Sequence, residues 1–356
     1  MSRRQEQFSG TREVSASLRF DPQPVEKYML SHVEGFKGPL TVKQFKGGQS
    51  NPTYLLVSPS GKYVLRRKPP GKLLKSAHAV DREFRVMSAL YKANFPVPRP
   101  LVLCNDEEVV GTIFFIMEFV EGRIFWDLDL PECDPNERQA IYDNTNRTIA
   151  DLHNFDLEEI GLTDYGKFGN YFARQISRWT KQYLASEIKR IDEMNRLIAW
   201  LPENIPDDES VALVHGDFRL DNMIFHQSEP KVIAVLDWEL STIGHPLGDF
   251  TYHMMTWQMP GIGIGSSGLA GKDLLALGIP SEEDYIQTYC DRTGRTSGIP
   301  NRNFYSAYNF FRLAAILQGI AGRVSDGTAA SAHAEDAGRA VSPLAKLGWQ
   351  FVKKSV

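Results

Sequence analysis

A histidine, an aspartate and an asparagine stand at positions 215, 217 and 222, in the pattern His-x-Asp-x-x-x-x-Asn. Fifteen residues after Asn222, an apolar run ends at Asp237. Transfer of a phosphoryl group from ATP needs such a set, because one carboxylate must receive the proton of the acceptor hydroxyl while an amide and a second carboxylate hold magnesium. We therefore interpret Asp217 as the catalytic base, and Asn222 and Asp237 as ligands of Mg²⁺.

Three short apolar segments must position these side chains. They cover residues 211–214, 223–225 and 232–236, and each has the length of a buried strand. The pattern predicts a loop at residues 215–222 and places Asp237 at the end of a later strand, so that rigid strands present the polar groups. Arg219 follows Asp217 by two residues and is expected to offset charge on the transferring phosphoryl group. His215 is interpreted as a hydrogen-bonding residue that organises the loop.

The rest of the chain predicts an α+β fold in two lobes. Candidate strands cover residues 41–45, 53–57, 63–67 and 109–119, and a segment with helical spacing of its apolar residues covers 79–93. Beyond Gly122, segments near residues 136–154, 171–200, 304–322 and 334–352 have helical character. We predict a flexible tail at 1–24, an N-lobe with an antiparallel sheet and one helix at 25–119, and a larger, mainly helical C-lobe at 120–356.

The composition is that of a soluble globular protein. Of 356 residues, 42% are hydrophobic and 24% are charged, and the net charge of −4 indicates neither a nucleic-acid nor a membrane partner. The cysteines Cys104, Cys133 and Cys290 lie far apart, which argues against a disulfide scaffold or zinc site and favours a reducing, cytoplasmic location. No apolar run approaches the length of a spanning helix, and the first twenty residues lack the apolar centre of a secretion signal.

A glycine-rich segment, Gly263-x-Gly265-x-x-Gly268, matches the dinucleotide-binding fingerprint GxGxxG. It follows Met259-Pro260 rather than a strand, and no βαβ pattern surrounds it. We therefore interpret residues 261–271 as a flexible glycine-rich loop, which could also act as a lid near a substrate.

Residues 215–222 read HGDFRLDN and residues 235–239 read VLDWE. These two segments resemble the aminoglycoside phosphotransferase and choline kinase superfamily, whose members are relatives of protein kinases. A narrower likeness, to the kinase-like domain of acyl-CoA dehydrogenase family members ten and eleven and to stand-alone bacterial counterparts, is carried by YVLRRKPPGKLL, SAHAVDREFRVM and VIAVLDWELSTIGHPLGDF. The resemblance extends from about residue 45 to about residue 349. It implies a bilobal protein-kinase-like fold, with nucleotide between the lobes, and a kinase that uses ATP and Mg²⁺.

Nucleotide-binding roles follow from this resemblance. The phosphate-binding loop of these kinases, where small residues let backbone N–H groups approach phosphates, is matched by Gly47, Gly48, Gln49, Ser50 and Asn51. Arg66 stands where such kinases carry lysine or arginine, so it is expected to bind phosphates and to pair with Glu83 on the following helix. The hinge whose backbone meets adenine is matched by Met117, Glu118 and Phe119.

Two further positions bear on the family pattern. Asp249 matches an aspartate that supports the catalytic loop in relatives, so its expected role is structural. His245 stands where many superfamily members have aspartate, which weakens the case for an aminoglycoside substrate. The subgroup with the acyl-CoA link shares the sequence GHPL at this point.

The acceptor is implied by the likeness alone, as a small hydroxylated molecule such as a hydroxyacyl-CoA thioester or a related hydroxy acid. Choline, a sugar, homoserine or an aminoglycoside stays open as an alternative, and so does a non-catalytic nucleotide-binding module. A cationic acceptor would favour an acidic lining, and the obvious acidic run contains Asp127, Asp129, Glu132 and Asp134.

The basic residues Lys72 and Lys75 are interpreted as solvated charge, with contact to phosphates of ATP or CoA as the alternative. We interpret four aromatic residues as core rather than pocket: Tyr252, Trp257, Phe310 and Phe311.

Overall fold

The structure is a computed structural model that describes residues 7–47, 51–69, 79–261, 268–325 and 334–354. Within these ranges the strands are β1 (Thr11–Arg12), β2 (Thr41–Phe45), β3 (Thr53–Ser58), β4 (Gly61–Arg67), β5 (Pro100–Cys104), β6 (Phe114–Glu118), β7 (Ala212–Val214), β8 (Met223–Phe225), β9 (Val232–Val235) and β10 (Thr242–Gly244). The helices of the same ranges are α1 (Pro22–His32), α2 (Val80–Lys92), α3 (Pro135–His153), α4 (Tyr171–Ala185), α5 (Asp192–Glu203), α6 (Pro246–Gln258), α7 (Leu274–Leu277), α8 (Glu282–Arg292), α9 (Arg302–Ser325) and α10 (Ala334–Lys353).

The chain divides into two compact units. The first consists of Met1–Trp126, Leu157–Leu162 and Arg219–Ser241, and the second of Asp127–Asp156, Thr163–Phe218 and Thr242–Val356. The first unit therefore includes a segment, with Asn222 and Asp237, that lies beyond the lobe boundary predicted at residue 119. The second unit contains Asp217.

The first unit is built on an antiparallel sheet with the strand order β1-β2-β3-β4-β6-β5. This confirms the predicted antiparallel sheet, although the predicted strand at 109–119 begins only at Phe114 and β5 is an addition. Strand β1 lies in the segment predicted as a tail and pairs with β2, with Thr11 opposite Phe45.

Helix α1 is a second helix of this unit, which the sequence analysis did not predict. Asp21 caps it by accepting a hydrogen bond from the backbone N–H of Gln23, and Pro22 occupies its first position. Proline fits there because the first turn of a helix leaves its N–H groups without helical partners. Val25 and Met29 of α1 are fully buried in the core of the unit.

Helix α2 confirms the helix predicted at residues 79–93. Its buried positions recur at helical spacing, at Val80, Glu83, Val86, Met87 and Leu90. An apolar stripe of this kind holds a helix against a sheet. Glu83 is the charged residue on this buried face, and burial of a carboxylate requires a partner.

The second unit is mainly helical, as predicted. The segment predicted as one helix at 171–200 is two helices, α4 and α5, because α4 ends at Ala185 and the chain turns before Asp192. Helices α6, α7 and α8 are additions to the prediction. Strands β7 and β10 form an antiparallel pair with Val214 opposite Thr242, so His215 directly follows a paired strand.

Throughout the part of the chain that the structure describes, no helix combines the length and the apolar character needed to cross a bilayer.

Candidate active site

Arg66 is the centre of a charged cluster in the first unit. It lies on β4, its side chain is 8% exposed, and its Nε donates to Glu83 Oε2 at 2.8 Å. Its Nη1 donates to Thr53 Oγ1 at 3.3 Å, and its Nη2 donates to Asp237 Oδ1. The predicted pair of Arg66 and Glu83 is thus present, and the same guanidinium reaches the predicted metal ligand Asp237.

The charges in this cluster are strongly coupled. Burial acts to lower the pKa of Arg66, but the carboxylates of Glu83, Asp237 and Glu239 hold that pKa above its ordinary value. Burial raises the pKa of the Glu83 carboxyl, which the guanidinium of Arg66 opposes. Because an arginine does not lose its proton in proteins, the cluster contains a permanent cation whose fork of donors is shared among carboxylates.

Asp237 has an unusual backbone conformation. Its φ is 65° and its ψ is 61°, in the left-handed region, two residues after the end of β9. A non-glycine residue pays roughly 1–3 kcal/mol for such a conformation, and residues of this kind concentrate at functional sites. The side chain is 28% exposed, so that it is reachable by a ligand while its Oδ1 contacts Arg66.

Asn222 lies beside this position through the pairing of β8 with β9. Leu236, the residue before Asp237, donates its backbone N–H to the carbonyl oxygen of Asn222 at 2.8 Å. Asn222 ends a single helical turn, Leu220–Asn222, that is anchored by the buried Leu220. The structure therefore places residues Asn222 and Asp237 at the same end of one hairpin.

This hairpin is held closely to the rest of the first unit at Gly122. A Cβ atom at Gly122 would lie 2.2 Å from the backbone oxygen of Phe225, so only glycine fits. The next residue, Arg123, exchanges two backbone hydrogen bonds of 2.8 Å with Phe225. The segment that carries Asn222 and Asp237 is thus fixed to the residues that follow β6.

The predicted nucleotide loop is described only in part. Gly47 is described, Asn51 is fully buried, and the side-chain amide of Asn51 donates to Glu239 Oε2 at 3.0 Å. Gly48, Gln49 and Ser50 lie outside the described residues, as do Lys72 and Lys75 and most of the glycine-rich segment from 263 to 268. Asn51 therefore joins the cluster around Arg66 through Glu239.

The predicted hinge follows the sheet. Met117 and Glu118 end β6, and Oε1 of Glu118 accepts from the backbone N–H of Arg99 at 2.9 Å. The ring of Phe119 stacks with Phe45 at 6.4 Å between centroids. Phe119 therefore lies beside Phe45, the last residue of β2, which is followed by the Gly47 loop.

Asp217 lies in a tightly held loop of the second unit. Gly216 has a φ of 85°, a backbone conformation that glycine adopts without strain. Asp249 accepts hydrogen bonds from the backbone N–H groups of His215 at 2.7 Å and Gly216 at 2.8 Å. His215 Nδ1 in turn accepts from the backbone N–H of Asp217 at 3.1 Å, in keeping with its predicted organising role.

The carboxyl of Asp249 is set up to support the loop as an anion. Burial acts to raise its pKa, but the hydrogen bond from His153 and the N–H groups of the loop hold the pKa below its ordinary value. A buried carboxylate that accepts several N–H bonds is stabilised in its charged form. The expected structural role of Asp249 fits these contacts.

The side chain of Asp217 is itself held by a residue that the sequence analysis placed in the core. Tyr252, on α6, donates its hydroxyl to Asp217 Oδ1 at 2.7 Å. Arg312, on α9, donates its Nη2 to the carbonyl oxygen of Gly216 at 2.5 Å and lies 4.9 Å from the centre of the Tyr252 ring. Tyr252 is buried as predicted, as are Trp257, Phe310 and Phe311.

Arg219 belongs to the first unit and is more exposed than the other candidates. Its side chain is 44% exposed, and its Nη2 lies 3.1 Å from Asp221 Oδ2. An exposed ion pair of this kind contributes little to stability. Its predicted role in charge neutralisation stays a prediction.

His245 begins α6, the helix that carries Asp249 and Tyr252. Its Nδ1 accepts from the backbone N–H of Leu247 at 3.2 Å, which caps the helix and assigns the ring proton to Nε2. Burial lowers the pKa of His245 to about 4, and the carboxylate of Asp208, with Oδ2 3.4 Å from Nε2, opposes this only in part. Burial also lowers the pKa of His253 to about 4.

A pH dependence of stability follows from His245. Its imidazole binds a proton near pH 6.5 in the unfolded chain but only near pH 4 in the folded protein. Between these values the unfolded state binds more protons, so the free energy of unfolding is highest above pH 6.5 and falls as pH drops towards 4, by about 3 kcal/mol for this group. His245→Asn keeps a capping acceptor without a titrating ring, so urea unfolding of this variant should depend less steeply on pH in that window. An identical pH dependence in both proteins would contradict this assignment.

The structure thus assembles the predicted residues in two groups. Arg66, Glu83, Asn222 and Asp237 belong to the first unit, and Asp217 belongs to the second. Sequence reasoning missed Glu239, although it lies in the quoted VLDWE segment, and it missed Arg312, a single charge inside an apolar helical run. Among the described residues no group of three or more His, Cys, Asp or Glu side chains forms a metal site.

Comparison with known sequences gives the relatives of this chain. Acyl-CoA dehydrogenase family member 10 of Mus musculus is 44% identical over 345 residues, which span 97% of this chain and 32% of the relative. Acyl-CoA dehydrogenase family member 11 of Homo sapiens is 44% identical over 349 residues, spanning 96% and 44% respectively. The chain therefore spans less than half the length of these curated relatives.

Comparison with solved structures supports the same fold. A Ralstonia eutropha protein, provisionally assigned as an aminoglycoside phosphotransferase, is 54% identical with a TM-score of 0.85, and the match covers 94% of this chain and 99% of that one. Choline kinase from Cryptosporidium parvum has a TM-score of 0.62 at 13% identity, with 94% and 97% covered. Spectinomycin phosphotransferase, in complex with ADP and spectinomycin, has a TM-score of 0.62 at 11% identity, with 94% and 99% covered. The last two show the fold alone.

The predicted protein-kinase-like α+β fold is thus confirmed by its structural neighbours. The family model that matches the chain describes the phosphotransferase enzyme family and covers residues 41–264, which include Arg66, Asp217 and Asp237. The predicted likeness to the kinase-like region of acyl-CoA dehydrogenase family members ten and eleven is likewise confirmed. This chain belongs to the phosphotransferase enzyme family.

Proposed function

We propose that this phosphotransferase is a Mg²⁺- and ATP-dependent small-molecule kinase that phosphorylates an alcohol. One observation carries the proposal: Arg66, fixed by the buried Glu83, contacts Asp237, which is in a left-handed backbone conformation next to Asn222. A guanidinium, a carboxylate and an amide gathered in this way suit phosphate oxygens and a hard cation. ADP bound to a neighbour of the same fold supports ATP as the donor.

The donor set fits magnesium. Asn222 and Asp237 would supply oxygen ligands, and Mg²⁺ commonly takes only one or two protein carboxylates or amides, with phosphate oxygens and waters completing the octahedron. When bound, the metal would offset negative charge on the phosphate oxygens. The partial exposure of Asp237 allows such a ligand to reach its carboxylate.

The remaining residues would bind and orient the reactants. Arg66 would bind the phosphates, with Glu83 fixing its direction, and Gly47 and Asn51 would border the phosphate loop together with the undescribed Gly48, Gln49 and Ser50. The backbone at Met117, Glu118 and Phe119 would meet the adenine. Arg219 would offset charge on the phosphoryl group during transfer.

Asp217 would act at the acceptor. As the hydroxyl oxygen forms its bond to the γ-phosphorus, the bond between that phosphorus and the bridging oxygen of ADP breaks, and the hydroxyl proton passes to the Asp217 carboxylate. Because little covalent chemistry falls to the protein in this reaction, position and charge decide the rate.

For the acceptor we propose a hydroxyacyl-CoA or a related hydroxy acid. The names of the relatives associate the kinase-like region with acyl-CoA enzymes. Two carboxylates of the acidic run that could bind a cationic substrate such as an aminoglycoside already have partners in the protein. Asp129 pairs with Lys272, and Asp134 caps α3 through the N–H groups of Asn136 and Glu137. Arg312 also places a permanent cation near Asp217, which disfavours a cationic substrate.

Acceptor turnover tests the proposal directly. The intact chain is assayed for ADP formation with Mg-ATP, and separately with Mg-GTP, against hydroxyacyl-CoAs of varied chain length, free hydroxy acids, choline, homoserine and aminoglycosides. We expect phosphorylation of a hydroxyacyl-CoA or hydroxy acid, detected as a mass increase of one phosphate. Transfer to choline or an aminoglycoside instead would contradict the proposed acceptor, and nucleotide binding without transfer to any acceptor would favour a binding module.

The metal assignment gives a separate prediction. Asp237→Asn removes one charge from the proposed ligand set at constant size, so the Mg²⁺ concentration for half-maximal ATP turnover should rise by at least about tenfold. Asp81→Asn, at an exposed aspartate of the same unit, serves as the control and should leave the Mg²⁺ titration unchanged. A Mg²⁺ requirement unaltered by Asp237→Asn would exclude this residue as a ligand.

A further inference from the structure

The hydroxyl of Tyr252 lies 2.7 Å from Oδ1 of Asp217, within the second unit. Tyr252 is only 5% exposed, so water competes little for this hydrogen bond. We propose that Tyr252 is a positioning residue that fixes the orientation of the Asp217 carboxylate for phosphoryl transfer. This inference rests on the proposed function, in which Asp217 receives the acceptor proton.

Arg312 makes Tyr252 a rigid support. The guanidinium lies 4.9 Å from the centre of the Tyr252 ring and 5.7 Å from that of Trp179, and Nη2 donates to the carbonyl oxygen of Gly216 at 2.5 Å. Arg312 is 5% exposed, so its side chain cannot move into solvent without loss of these contacts. One buried cation therefore joins the tyrosine to the backbone beside Asp217.

Several hydrogen bonds hold the backbone of the loop, whereas the Tyr252 hydroxyl binds the carboxylate of Asp217 itself. Asp249 binds the N–H groups of residues 215 and 216, and His215 binds the N–H group of Asp217. These bonds fix where the Asp217 Cα lies, but they do not fix rotation about its side-chain bonds. A carboxylate terminus rotates over a broad range unless a hydrogen bond restrains it.

The restraint has a chemical consequence. In a loose phosphoryl-transfer transition state the protein contributes mainly alignment, and small misplacements of a catalytic group reduce the rate. Loss of the Tyr252 hydroxyl would therefore lower the rate of the bound complex rather than the affinity for ATP. A residue that served only the core would change stability or all kinetic constants together.

The test uses Tyr252→Phe, which removes the hydroxyl and keeps the ring under Arg312. A hydrogen bond to a charged group accounts for about a tenfold to hundredfold effect, so kcat should fall by that factor while KM for ATP stays the same. Tyr308→Phe is the matched control, since it removes the hydroxyl of another tyrosine of the second unit, which is fully buried on α9 beside Tyr171. It should retain the wild-type kcat.

A second readout does not depend on activity. Crystal structures of the wild type and Tyr252→Phe should show the Asp217 side chain in one orientation in the former and rotated or spread over several in the latter. An unchanged kcat, or a fall in kcat accompanied by an equal loss of ATP affinity, would overturn the positioning role. If the wild type phosphorylates no acceptor, the proposed function fails. Independently of activity, an Asp217 side chain that is ordered and has the same orientation in both crystals would overturn the positioning role.

Discussion

Asp217→Asn is expected to lower kcat by about 10²- to 10⁴-fold, with little change in KM for ATP. The asparagine Oδ1 can still accept the hydrogen bond of the Tyr252 hydroxyl, so the loop should keep its shape. What the variant loses is the group that receives the hydroxyl proton. Initial rates with the best acceptor of the panel, together with ATP binding by calorimetry, separate these two effects.

The matched control is Asp207→Asn, which alters an exposed aspartate of the same unit. It should retain wild-type kcat and ATP affinity. If Asp217→Asn also retained its rate, Asp217 would not be the base. A loss of ATP binding as large as the loss of rate would instead assign a structural role to the residue.

Glu83→Ala is expected to destabilise the protein by about 3–5 kcal/mol. The carboxylate is 2% exposed and accepts from Arg66, which is 8% exposed, so the variant leaves a buried guanidinium with one partner fewer. Arg66 would also lose the contact that directs it, and KM for ATP should rise. Urea unfolding of the intact chain measures the first effect, and initial rates at varied ATP measure the second.

Asp81→Ala provides the comparison on the same helix. Its carboxylate is 48% exposed and lies 3.8 Å from Lys68, and an ion pair of that kind contributes only about 0–1 kcal/mol. A Glu83→Ala variant no less stable than Asp81→Ala would show that the Arg66–Glu83 pair is not a structural requirement. It would also remove the reason to assign Glu83 a role in directing Arg66.

Local pattern predicted the strand that contains Arg66 and the helix that contains Glu83, whereas the pairing of the two residues was implied by the family resemblance. Strand β4 extends to Arg67, one residue beyond Arg66, and Glu83 lies on the buried face of α2. The hairpin of β8 and β9 was equally readable, because its two apolar runs are separated by a short polar segment. Short-range periodicity is therefore sufficient to predict consecutive strands and helices, but it did not predict the ion pair between Arg66 and Glu83.

The contacts that periodicity could not predict join distant parts of the chain. Tyr252 is 35 residues from Asp217, and its ring fits the apolar pattern of α6 whether or not its hydroxyl has a partner. Arg312 stands alone within an apolar run of α9, where its partner, the backbone of Gly216, lies 96 residues away. Such polar contacts depend on how helices pack, and a single sequence does not encode the packing in any local signal.

The structure also differs from the sequence-based prediction in where one long helical segment is interrupted. Apolar spacing is similar on both sides of residues 186–191, so it predicts one helix where α4 and α5 are separate. The Ser186 hydroxyl donates to the carbonyl oxygen of Gln182 at 2.8 Å and thereby satisfies one of the last carbonyl groups of α4. A serine that binds back to the helix in this way gives only a weak signal in the sequence.

A crystal structure of the chain with Mg²⁺ and a non-hydrolysable ATP analogue tests the central claim most directly. The account predicts Mg²⁺ at about 2.1 Å from oxygens of Asn222 and Asp237, with the analogue's phosphates also bound to the metal and to Arg66. A metal held by other residues, or a nucleotide whose phosphates contact none of these three side chains, would contradict it.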